Sequence, residues 1–561
     1  MEYVVLAAAL AGVALIFVIS EVFSTRKSEM QFKKKLYEEY GVLPEREYKP
    51  GALEVISRYF EKHKDGFSID DITWNDLNMD EIFKRMNFTY SAAGEEYLYY
   101  ILRTPCMEEA ELLHREEIID YFSEHPKERA AYQYIYSKLG RTGKFSIYDY
   151  LDYLDQLGVR SNLQHYLALV LVFIAIGLIF VNMPIGILAL VCVLIYNNIT
   201  YFKIKNEVEP YITSFSYIFR LLKAAGKLQE HRASILDEEF DALKKSCSAM
   251  TGFRAGSFLI MSGGRMSGSG NPLDILLDFV RMGFHLDLIK FNQMLSEVRR
   301  HLPDIDRMVS ILGKTEAMIS IGEYRASLGS YCVPEFSEEL TLDAEGMYHP
   351  LIENPVANDI STGESVLITG SNASGKSTFL KTVAIGSIFA QTIHTCPAKH
   401  YRGAMFRVVS SMSLKDDVQG GESYYMVEIR ALKRIMDMVL SKGEPVLCFV
   451  DEVLRGTNTV ERIAASTQIL KNMAAGNCIC FAATHDIELT YLLEKIYHNY
   501  HFTEEIEDDD ISFTYKIMKG RAHTRNAIKL LGIMGFSGEI IKEAEVMAGN
   551  FMETGVWQTL D

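Results

Sequence analysis

The sequence lacks the cysteine patterns that are typical of disulfide-rich and zinc-binding proteins. Its 561 residues include eight cysteines, with no CxxC pair and no His/Cys spacing of the kind that holds a metal. Cys478 and Cys480 flank Ile479 in an apolar run that predicts a buried strand. We interpret such cysteines as small core residues in a reducing compartment, rather than as disulfide partners or zinc ligands. The eight are Cys106, Cys192, Cys247, Cys332, Cys396, Cys448, Cys478 and Cys480.

An excess of positive charge is also missing. The formal net charge is −17 and the isoelectric point is near 5.4. Because non-specific nucleic-acid affinity is mostly electrostatic, this balance argues against indiscriminate binding to a phosphate backbone, while a local basic patch stays compatible with it. Internal repeats are not evident in the sequence either. Its 48% apolar and 23% charged residues are ordinary globular values, so extensive disorder is not expected. The length suggests about three or four domains.

Long apolar runs, in contrast, are present, and the first lies at the N-terminus. Tyr3–Ser20 is an uncharged, mostly apolar run of eighteen positions, just enough to cross a bilayer as a helix. A cleaved signal peptide would need a positive segment before the run, whereas the basic residues follow it. The positive-inside rule then places the N-terminus outside and the following chain in the cytoplasm. The basic residues are Arg26, Lys27, Lys33, Lys34 and Lys35.

A second apolar stretch runs from Tyr166 to Tyr196 and is interrupted at Asn182-Met183-Pro184. As one helix it would be about 46 Å long, which exceeds the hydrocarbon core of a bilayer. Two short spans that turn at the interruption fit better, and a hairpin returns the chain to the cytoplasm. The alternative is a buried hairpin of a soluble protein. Basic residues flank the stretch on the cytoplasmic side: Arg160, Lys203 and Lys205.

The rest of the sequence divides into a helical part and a mixed part. Residues 23–165 and 203–330 have mainly helical apolar spacing. After residue 345, short β-rich runs alternate with helical stretches, which indicates an α/β layer with a mostly parallel sheet. The β-rich runs are Ser365–Thr369, Phe406–Ser410, Val446–Val450 and Cys478–Ala482.

A glycine-rich loop follows the first of these strands and leads into a helix that Thr378 opens. The loop satisfies GxxxxGK[ST], a pattern expected by chance about 0.02 times in a chain of this composition. Its backbone N–H groups and the helix N-terminus can surround phosphates, Lys376 can reach the β- and γ-phosphates, and Ser377 can bind magnesium. We therefore predict an ATP site with Mg²⁺ and no other metal site. The loop residues are Gly370, Ser371, Asn372, Ala373, Ser374, Gly375, Lys376 and Ser377.

Two later strands supply the remaining groups of a nucleotide site. Val446–Val450 leads directly into Asp451 and Glu452, so that Asp451 can hold the magnesium and Glu452 can polarise the attacking water. The strand around Cys480 leads into His485, which can sense the γ-phosphate. A histidine alone is more often structural, but its position at a strand end favours the catalytic interpretation. Lys376, Glu452 and His485 are therefore the predicted catalytic residues.

These motifs stand in the order known from one family. The chain resembles the MutS family of mismatch-repair ATPases, which share the ABC-type nucleotide-binding fold. Besides the glycine-rich loop, the resemblance rests on matches within roughly residues 345–545. They are His349-Pro350-Leu351 with Asn358-Asp359, the STFMVE-like run 423–428, the DExxRGTST-like run 451–459 and the ATHxxELT-like run 483–490.

The resemblance implies a homodimer with two composite sites, in which Ser423 and its signature helix reach the nucleotide bound by the other subunit. A hydroxyl at a helix N-terminus suits an anion; an ordinary helix cap is the alternative interpretation of Ser423. Upstream, Asp71-Ile72-Thr73, Leu77 and Thr89–Pro105 resemble the start of the family's helical core and lever region.

Departures from the family pattern argue against mismatch recognition. No counterpart of the N-terminal mismatch-reading domain or of a DNA clamp insertion is evident, and the predicted hairpin interrupts the lever region. Phe336-Ser337-Glu338 has the letters of the family's Phe-x-Glu wedge, but it lies beside the ATPase motifs and we interpret it as coincidence. In the loop, Ser371, Ala373 and Ser374 replace the family's Pro, Met and Gly, changes that the chemistry should tolerate.

The predicted fold is an α/β P-loop NTPase domain of ABC type, preceded by an all-α core and lever region with transmembrane helices. We expect a multi-pass protein of the cell membrane with a cytoplasmic ATPase domain, which hydrolyses ATP slowly and moves its levers. A DNA-binding repair protein at the membrane and a transporter-like machine are the alternatives, and the partner protein stays open. The predicted domains are an anchor at 1–22, a core-like region at 23–165, a transmembrane hairpin at 166–202, levers at 203–340 and the ATPase domain at 341–561.

Overall fold

The computed structural model describes most of the chain and divides it into two compact units. A helical unit comprises Met1–Lys64, Met86–Tyr100 and Glu117–Ala326, and an α/β unit comprises Asp65–Arg85, Ile101–Glu116 and Ser327–Asp561. Apart from Ile19 and Ser20, the predicted N-terminal anchor run lies outside the described residues. The described residues are 19–20, 23–158, 160–255, 260, 280–371, 374–412, 424–454, 457–507, 510–522, 528, 531, 535–557 and 559.

Before residue 328, the regular secondary structure of the described residues is entirely helical. In chain order the helices are α1 (23–38), α2 (Ala52–Ile56), α3 (Arg58–His63), α4 (Asp71–Asp76), α5 (Met79–Met86), α6 (Ala92–Arg103), α7 (Glu109–Glu124), α8 (Pro126–Leu139), α9 (Ile147–Gln156), α10 (Leu163–Val181), α11 (Met183–Glu230), α12 (Asp237–Ala249), α13 (Thr251–Arg254), α14 (Leu286–Arg300) and α15 (Leu302–Ser327), with a 3₁₀ turn at Ser234–Leu236.

Apolar spacing and polar caps explain these helices. Leu288, Phe291, Leu295 and Val298 of α14 recur at three- and four-residue intervals, and all four are buried. Helix α9 begins with a capping box, in which the Ser146 side chain accepts the N–H of Tyr148 and the Asp149 carboxylate accepts the N–H of Ser146. The predicted helical character of this part of the chain therefore follows from ordinary local signals.

Helices α10 and α11 form the predicted hairpin, and a single residue joins them. The Asn182 side chain accepts the N–H of Ile185 and so caps the first turn of α11. At Gly186 a Cβ atom would lie 2.3 Å from the backbone nitrogen of Ile179, so only glycine allows the two helices to come this close. The turn lies within the interruption that the sequence shows.

Helix α11 continues far beyond the apolar stretch. Its 48 residues run without a break to Glu230, so the predicted domain boundary at 202/203 falls inside one continuous helix. Such a helix is about 72 Å long. Pro210 lies within it, where a proline nitrogen has no hydrogen to donate to the preceding turn.

The two apolar helices are long and apolar enough to cross a membrane by length and composition. Of the most apolar windows of α10 and α11, 22% and 17% of the residues are buried. The core helices of a soluble protein would be mostly buried. The surface of this hairpin is therefore largely apolar side chains that no described part of the chain covers.

The α/β unit contains two sheets. Strands β1 (Glu335–Phe336), β2 (Leu342–Met347), β3 (Asn358–Thr362) and β5 (His400–Gly403) form a four-stranded sheet in the order β1-β5-β2-β3. A six-stranded sheet in the order β10-β9-β4-β8-β7-β6 is built from β4 (Ser365–Thr369), β6 (Arg407–Ser411), β7 (Val446–Asp451), β8 (Cys478–Thr484), β9 (Tyr497–Glu507) and β10 (Asp510–Lys519). Only the pairing of β9 with β10 is antiparallel in this larger sheet.

Helices cover the larger sheet, and its central strands form the core of the unit. All residues of β4, β7 and β8 are buried, as expected for parallel strands that are covered on both faces. The helices of this part are α16 (Lys376–Thr392), α17 (Tyr424–Leu440), α18 (Thr459–Met473), α19 (Ile487–Leu492) and α20 (Gly538–Thr554).

Two segments from the N-terminal half belong to the α/β unit. Helix α4 packs on β6. The segment Ile101–Glu116, which includes the first turns of α7, contacts the C-terminal end of α16. There, Arg115 donates to the carbonyl of Thr392, which places a cation at a helix C-terminus. The domain boundaries predicted from the sequence stay predictions. The two compact units have different boundaries, because each contains segments that are separated in the sequence.

Candidate active site

Strand register brings the predicted site motifs to one edge of the larger sheet. Strand β8 lies between β4 and β7, and Thr369 at the end of β4 pairs with Thr484 at the end of β8. On the other side Asp451, the last residue of β7, pairs with Ala483. Because the three strands are parallel, their carboxyl ends meet, and the loops that leave them share one space.

The glycine-rich loop is built on backbone conformations that only glycine adopts easily. Gly370 has φ +150° and Gly375 has φ +109°. At Gly370 a Cβ atom would lie 2.8 Å from Ser374 Oγ and 3.1 Å from the carbonyl oxygen of Phe502. The chain can therefore turn tightly from β4 into α16, whose first turn then points its N–H groups towards the loop.

The Lys376 side chain folds back into the loop and is 95% buried. Its Nζ donates to the carbonyl oxygens of Gly370 and Ser371, at 2.8 and 2.7 Å. These contacts hold the ammonium group at the centre of the turn, where a phosphate group of a nucleotide would meet it.

Ser377 and Asp451 come into direct contact. The Ser377 hydroxyl donates to Asp451 Oδ2 across 2.5 Å, and Asp451 is buried. A hydroxyl and a carboxylate are oxygen ligands of the kind that Mg²⁺ prefers. The two predicted metal ligands thus lie together.

Glu452 and His485 form a second pair beside the loop. His485 Nε2 lies 2.7 Å from Glu452 Oε1 and 3.4 Å from Lys376 Nζ. In the tautomer that carries its proton on Nε2, the imidazole donates to Glu452 and does not accept from Lys376. Glu452 also has φ +54°, an uncommon conformation for a residue other than glycine. The three predicted catalytic side chains therefore converge at one point.

A glutamate of the signature motif supports the loop after Glu452. Glu428 of α17 is buried, and its carboxylate accepts the backbone N–H of Leu454. Leu454 itself has φ +59°, and Ser466 of α18 donates to the carbonyl of the adjacent Val453. Sequence reasoning noted Glu428 as part of a motif and missed this supporting contact.

Arg462 supports the other catalytic strand end. Its guanidinium binds Asp486 through two hydrogen bonds, of 2.9 and 2.6 Å, directly after His485. The hydrogen bonds to Asp486 raise the pKa of Arg462 further. Such paired bonds fix orientation as well as distance. A basic residue eleven positions after Asp451 carried no signal in the sequence that would have predicted this role.

A cavity of about 400 Å³ opens beside the loop. Gly375, Thr378 and Phe379 line it from the loop and α16, and Phe502 and Tyr515 line it from β9 and β10. Its volume and its aromatic and apolar lining suit a planar base attached to phosphates in the loop. Sequence reasoning did not predict the two aromatic residues, since strand pairing alone brings them to the loop.

His349, from the predicted approach motif, lies on the same cavity. Burial, with a smaller contribution from the charge of Lys381, lowers the pKa of the His349 imidazole to about 4. The ring is therefore neutral near pH 7, and its Nδ1 accepts the N–H of Leu351. A neutral ring presents an apolar face, as the rest of this lining does.

The residues present fit ATP and magnesium. Ser374 Oγ is buried in the loop and makes no hydrogen bond within the described part of the chain, which suits a phosphate acceptor beside it. Lys376 supplies the charge, and the contact of Ser377 with Asp451 supplies oxygen ligands. Of the predicted residues, Asn372, Ala373 and Ser423 lie outside the described residues.

This loop, its strand and helix, and the carboxylates at the neighbouring strand ends define a P-loop nucleotide-binding fold. Residues 366–552 match the family model described as MutS domain V, which is an ATPase domain. This part of the chain is therefore similar to the ATPase domain of the MutS family, and the α/β region that contains it follows an all-helical region.

Curated relatives match a little under half of the chain. DNA mismatch repair protein MutS of Thermotoga sp. (strain RQ2) is 32% identical over 273 residues, which cover 46% of this chain and 34% of that protein. MutS protein homolog 4 of Mus musculus is 30% identical over 264 residues, covering 43% of this chain and 26% of the relative. The chain thus spans about a third or less of the length of these relatives.

Proposed function

We propose that this protein is a membrane-anchored, MutS-like ATPase that binds and slowly hydrolyses ATP at composite sites of a homodimer, and that ATP binding moves its helical region. The observation that carries the proposal is the convergence of Lys376, the Ser377–Asp451 pair and the Glu452–His485 pair on one loop. Each of these side chains is of a type used in phosphoryl transfer, and each lies within contact distance of another side chain of the site.

The roles follow from the geometry of each side chain. Lys376 and the N–H groups of α16 bind and orient the phosphates, and the cavity lined by Phe502 and Tyr515 takes the base. Ser377 and Asp451 would hold magnesium, which counters charge that builds up on the phosphates. Glu452 orients the attacking water, and His485 holds the Glu452 carboxylate in place.

The membrane part of the proposal rests on the hairpin. The centres of α10 and α11 expose Phe173, Ile174, Leu188 and Val191, none of them less than 48% exposed. Side chains of this kind, exposed along α10 and the first part of α11, are stable in a hydrocarbon environment and costly in water. We propose a multi-pass protein of the cell membrane, with the ATPase domain in the cytoplasm where ATP is available, and a protein partner whose identity is open.

The dimer and any DNA binding are proposed from the resemblance to the MutS family alone. Of the two relatives described above, the one from Thermotoga carries a name that states DNA mismatch repair. The net charge of −17 gives no support to a broad DNA surface here, so DNA-binding repair at the membrane stands as the alternative function.

ATP hydrolysis by the detergent-solubilised full chain tests the proposal. Glu452→Gln is expected to lower turnover about 10²- to 10⁴-fold, since it removes a positioned base, while ATP binding persists. Glu338→Gln serves as the matched control, because Glu338 is an exposed carboxylate of the same unit. Equal turnover of the wild type and Glu452→Gln would contradict the assigned roles.

Homoduplex, mismatched and single-stranded DNA, added to the same assay, separate the two functions. Stimulation or tight, salt-sensitive binding by any of these DNAs would favour the repair function. Hydrolysis that depends on Glu452 and ignores every DNA is the result that we expect.

A further inference from the structure

Two cysteines of the α/β unit face each other across a short antiparallel bridge. The N–H of Cys332 donates to the carbonyl oxygen of Cys396 at 3.0 Å, and the N–H of Cys396 donates to the carbonyl oxygen of Cys332 at 2.9 Å. Such a hydrogen-bonded antiparallel pair sets its two Cα atoms about 5.5 Å apart. A disulfide spans Cα separations of about 4.4 to 6.8 Å, so the backbone already has the geometry of a cross-linked pair.

The two thiols also contact each other. The Cys396 thiol donates a hydrogen bond to the Cys332 sulfur, and this bond lowers the pKa of the Cys332 thiol. Burial, together with the same hydrogen bond, raises the pKa of the Cys396 thiol. Both cysteines are free thiols in this structure. The pair therefore combines one sulfur that ionises more readily than an ordinary thiol with one that keeps its proton.

Access from solvent differs between the two sulfurs in the same sense. Cys332 is partly exposed and stands between the exposed side chains of Tyr331 and Val333. Cys396 is completely buried, and a Cβ atom at Gly386 of α16 would lie 3.3 Å from its Sγ. An accessible thiol that ionises readily, with a second thiol directly behind it, is the arrangement of an attacking and a resolving cysteine.

Two other sites of the chain each have only one half of this combination. Cys448 Sγ lies 3.6 Å from Cys478 Sγ in the core of the larger sheet, but both residues are buried. Cys247 is partly exposed, but burial raises the pKa of its thiol to about 11, and its sulfur lies 3.8 Å from the thioether of Met308. Sulfur contact and solvent access occur together at Cys332 and Cys396.

We propose that Cys332 and Cys396 are a reversible disulfide site, at which a peroxide oxidises the accessible Cys332, the buried Cys396 completes the bond, and the cross-link restrains the chain around the glycine-rich loop. In a reducing compartment the two residues rest as free thiols, and a disulfide forms there only transiently. This modification site does not depend on the proposed ATPase function.

The reaction has two steps. The Cys332 thiolate attacks one oxygen of hydrogen peroxide: an S–O bond forms, the O–O bond breaks, and the departing hydroxide takes up a proton to give water. The Cys396 sulfur then attacks the sulfur of the Cys332 sulfenic acid. The S–S bond forms, the S–O bond breaks, and the second hydroxide leaves as water with the proton of Cys396. Two thiols are oxidised to one disulfide, and one peroxide is reduced to two waters.

The cross-link would close a loop that contains the nucleotide-binding elements. Strands β1 to β4, the glycine-rich loop and α16 all lie between Cys332 and Cys396 in the sequence. A disulfide restricts the unfolded chain, and the restriction grows with the length of the loop that it closes. Oxidation is therefore expected to stabilise this part of the α/β unit against unfolding.

The experiment treats the reduced full chain in detergent with hydrogen peroxide, blocks the remaining thiols with iodoacetamide and identifies peptides by mass spectrometry. We expect one disulfide-linked peptide pair, joining Cys332 to Cys396, and its complete loss after dithiothreitol. Both thiols should disappear together and ahead of the Cys247 thiol. The melting temperature of the oxidised chain should be higher than that of the reduced chain by about 5 °C or more.

Single variants separate the two roles. In Cys396→Ser, oxidation of Cys332 should stop at the sulfenic acid, which dimedone traps. In Cys332→Ser, Cys396 should stay a free thiol, because peroxide does not reach it. Cys247→Ser is the matched control at a partly exposed cysteine and should form the disulfide as the wild type does. If Cys396→Ser proves too unstable to purify, Cys332→Ser still tests the pair, since its position is partly exposed.

A linked peptide of Cys332 and Cys396 that dithiothreitol cleaves supports the inference. Two free thiols after peroxide has oxidised Cys247 overturn it, and so does a Cys332 sulfinic acid beside a free Cys396. A disulfide from Cys332 to a different cysteine also rejects the pair. An oxidised chain that melts like the reduced chain overturns the restraint on the segment that contains the loop.

Discussion

The two units of this protein place their apolar side chains in opposite environments. Strand β8 is buried at all seven of its positions, and so are the strands on both sides of it. Helix α10 is just as free of charged residues, yet only 22% of the residues in its most apolar window are buried. A strand needs neighbours for its backbone N–H and C=O groups, whereas a helix satisfies its own. An apolar run therefore predicts only that its side chains avoid water. The length of the run and its backbone conformation determine whether protein or lipid can cover it.

The two units also differ in where they place ionisable side chains. The helical unit encloses Glu96, Glu316 and Glu323 among its helices, and burial raises the pKa of all three carboxyls, the last two to about 7. In the α/β unit Glu452 and His485 sit at strand ends and keep part of their surface exposed. In the first case burial favours the neutral carboxyl groups, whose hydrogen bonds tie helices together, and in the second the side chains stay partly accessible to a ligand.

A charge placed on the hairpin should have the largest effect on this comparison. Ile174 is 54% exposed near the middle of α10. Ile174→Arg is expected to cost about 3 kcal/mol or more if this face lies in hydrocarbon. Because the predicted N-terminal anchor would still hold the chain in the membrane, the measurement is the melting temperature of the full chain in lipid vesicles, which should fall below that of the wild type. Leu440→Arg, at an equally apolar and exposed site of α17, is the control and should stay within about 0.5 kcal/mol.

If Ile174→Arg melts like the wild type in lipid vesicles, the hairpin is not in contact with lipid. The two units would then differ only in how much apolar surface they leave uncovered. The search would turn to a partner protein that covers α10.

Glu316 gives the next largest effect, through the pH dependence of stability. Its carboxylate accepts the N–H groups of Tyr90 and Ser91, and burial raises its pKa from 4.5 to about 7. The folded state then binds more protons than the unfolded state between these values. Stability from this group is complete below pH 4.5 and is lost as the pH rises to about 7, on the order of 3 kcal/mol.

Glu316→Gln should remove this dependence, because the amide does not titrate. Melting temperatures of the variant and the wild type should converge near pH 4.5 and separate by pH 8, with the variant higher. Parallel curves at all pH values would contradict the shift.

His349 in the α/β unit should show a smaller effect of the opposite sign. Its pKa falls from 6.5 to about 4, so the unfolded state binds more protons between these values. Stability from this group is present above pH 6.5 and is lost as the pH falls towards 4, by about 2 kcal/mol after allowance for residual exposure. His349→Gln should flatten the acid side of the melting curve and leave it unchanged at pH 8. A variant that loses stability with acid exactly as the wild type does would be evidence against the shift.

Local sequence signals were sufficient for the parts of the protein that local chemistry dictates. The strand Ser365–Thr369 is found where predicted, and the loop from Gly370 to Ser377 stands between it and a helix. The hairpin turns within Asn182-Met183-Pro184, since a glycine, an amide cap and a proline combine there.

Contacts between distant segments were beyond the reach of such signals. Neither the support of Leu454 by Glu428 nor that of His485's strand by Arg462 follows from spacing. The hold of Asp76 on Ser410 joins residues 334 positions apart. Sequence patterns fix which side chains are polar, whereas the topology of the sheet decides which of them meet.

The length of α11 has a mechanical consequence. From Met183 to Glu230 it is one helical rod with Pro210 inside it, about 40 Å from its start. A helix bends most easily where a hydrogen bond of its ladder is missing, and proline removes one. A force applied at the hairpin end would therefore concentrate its curvature near Pro210, which divides the helix into two segments of unequal length.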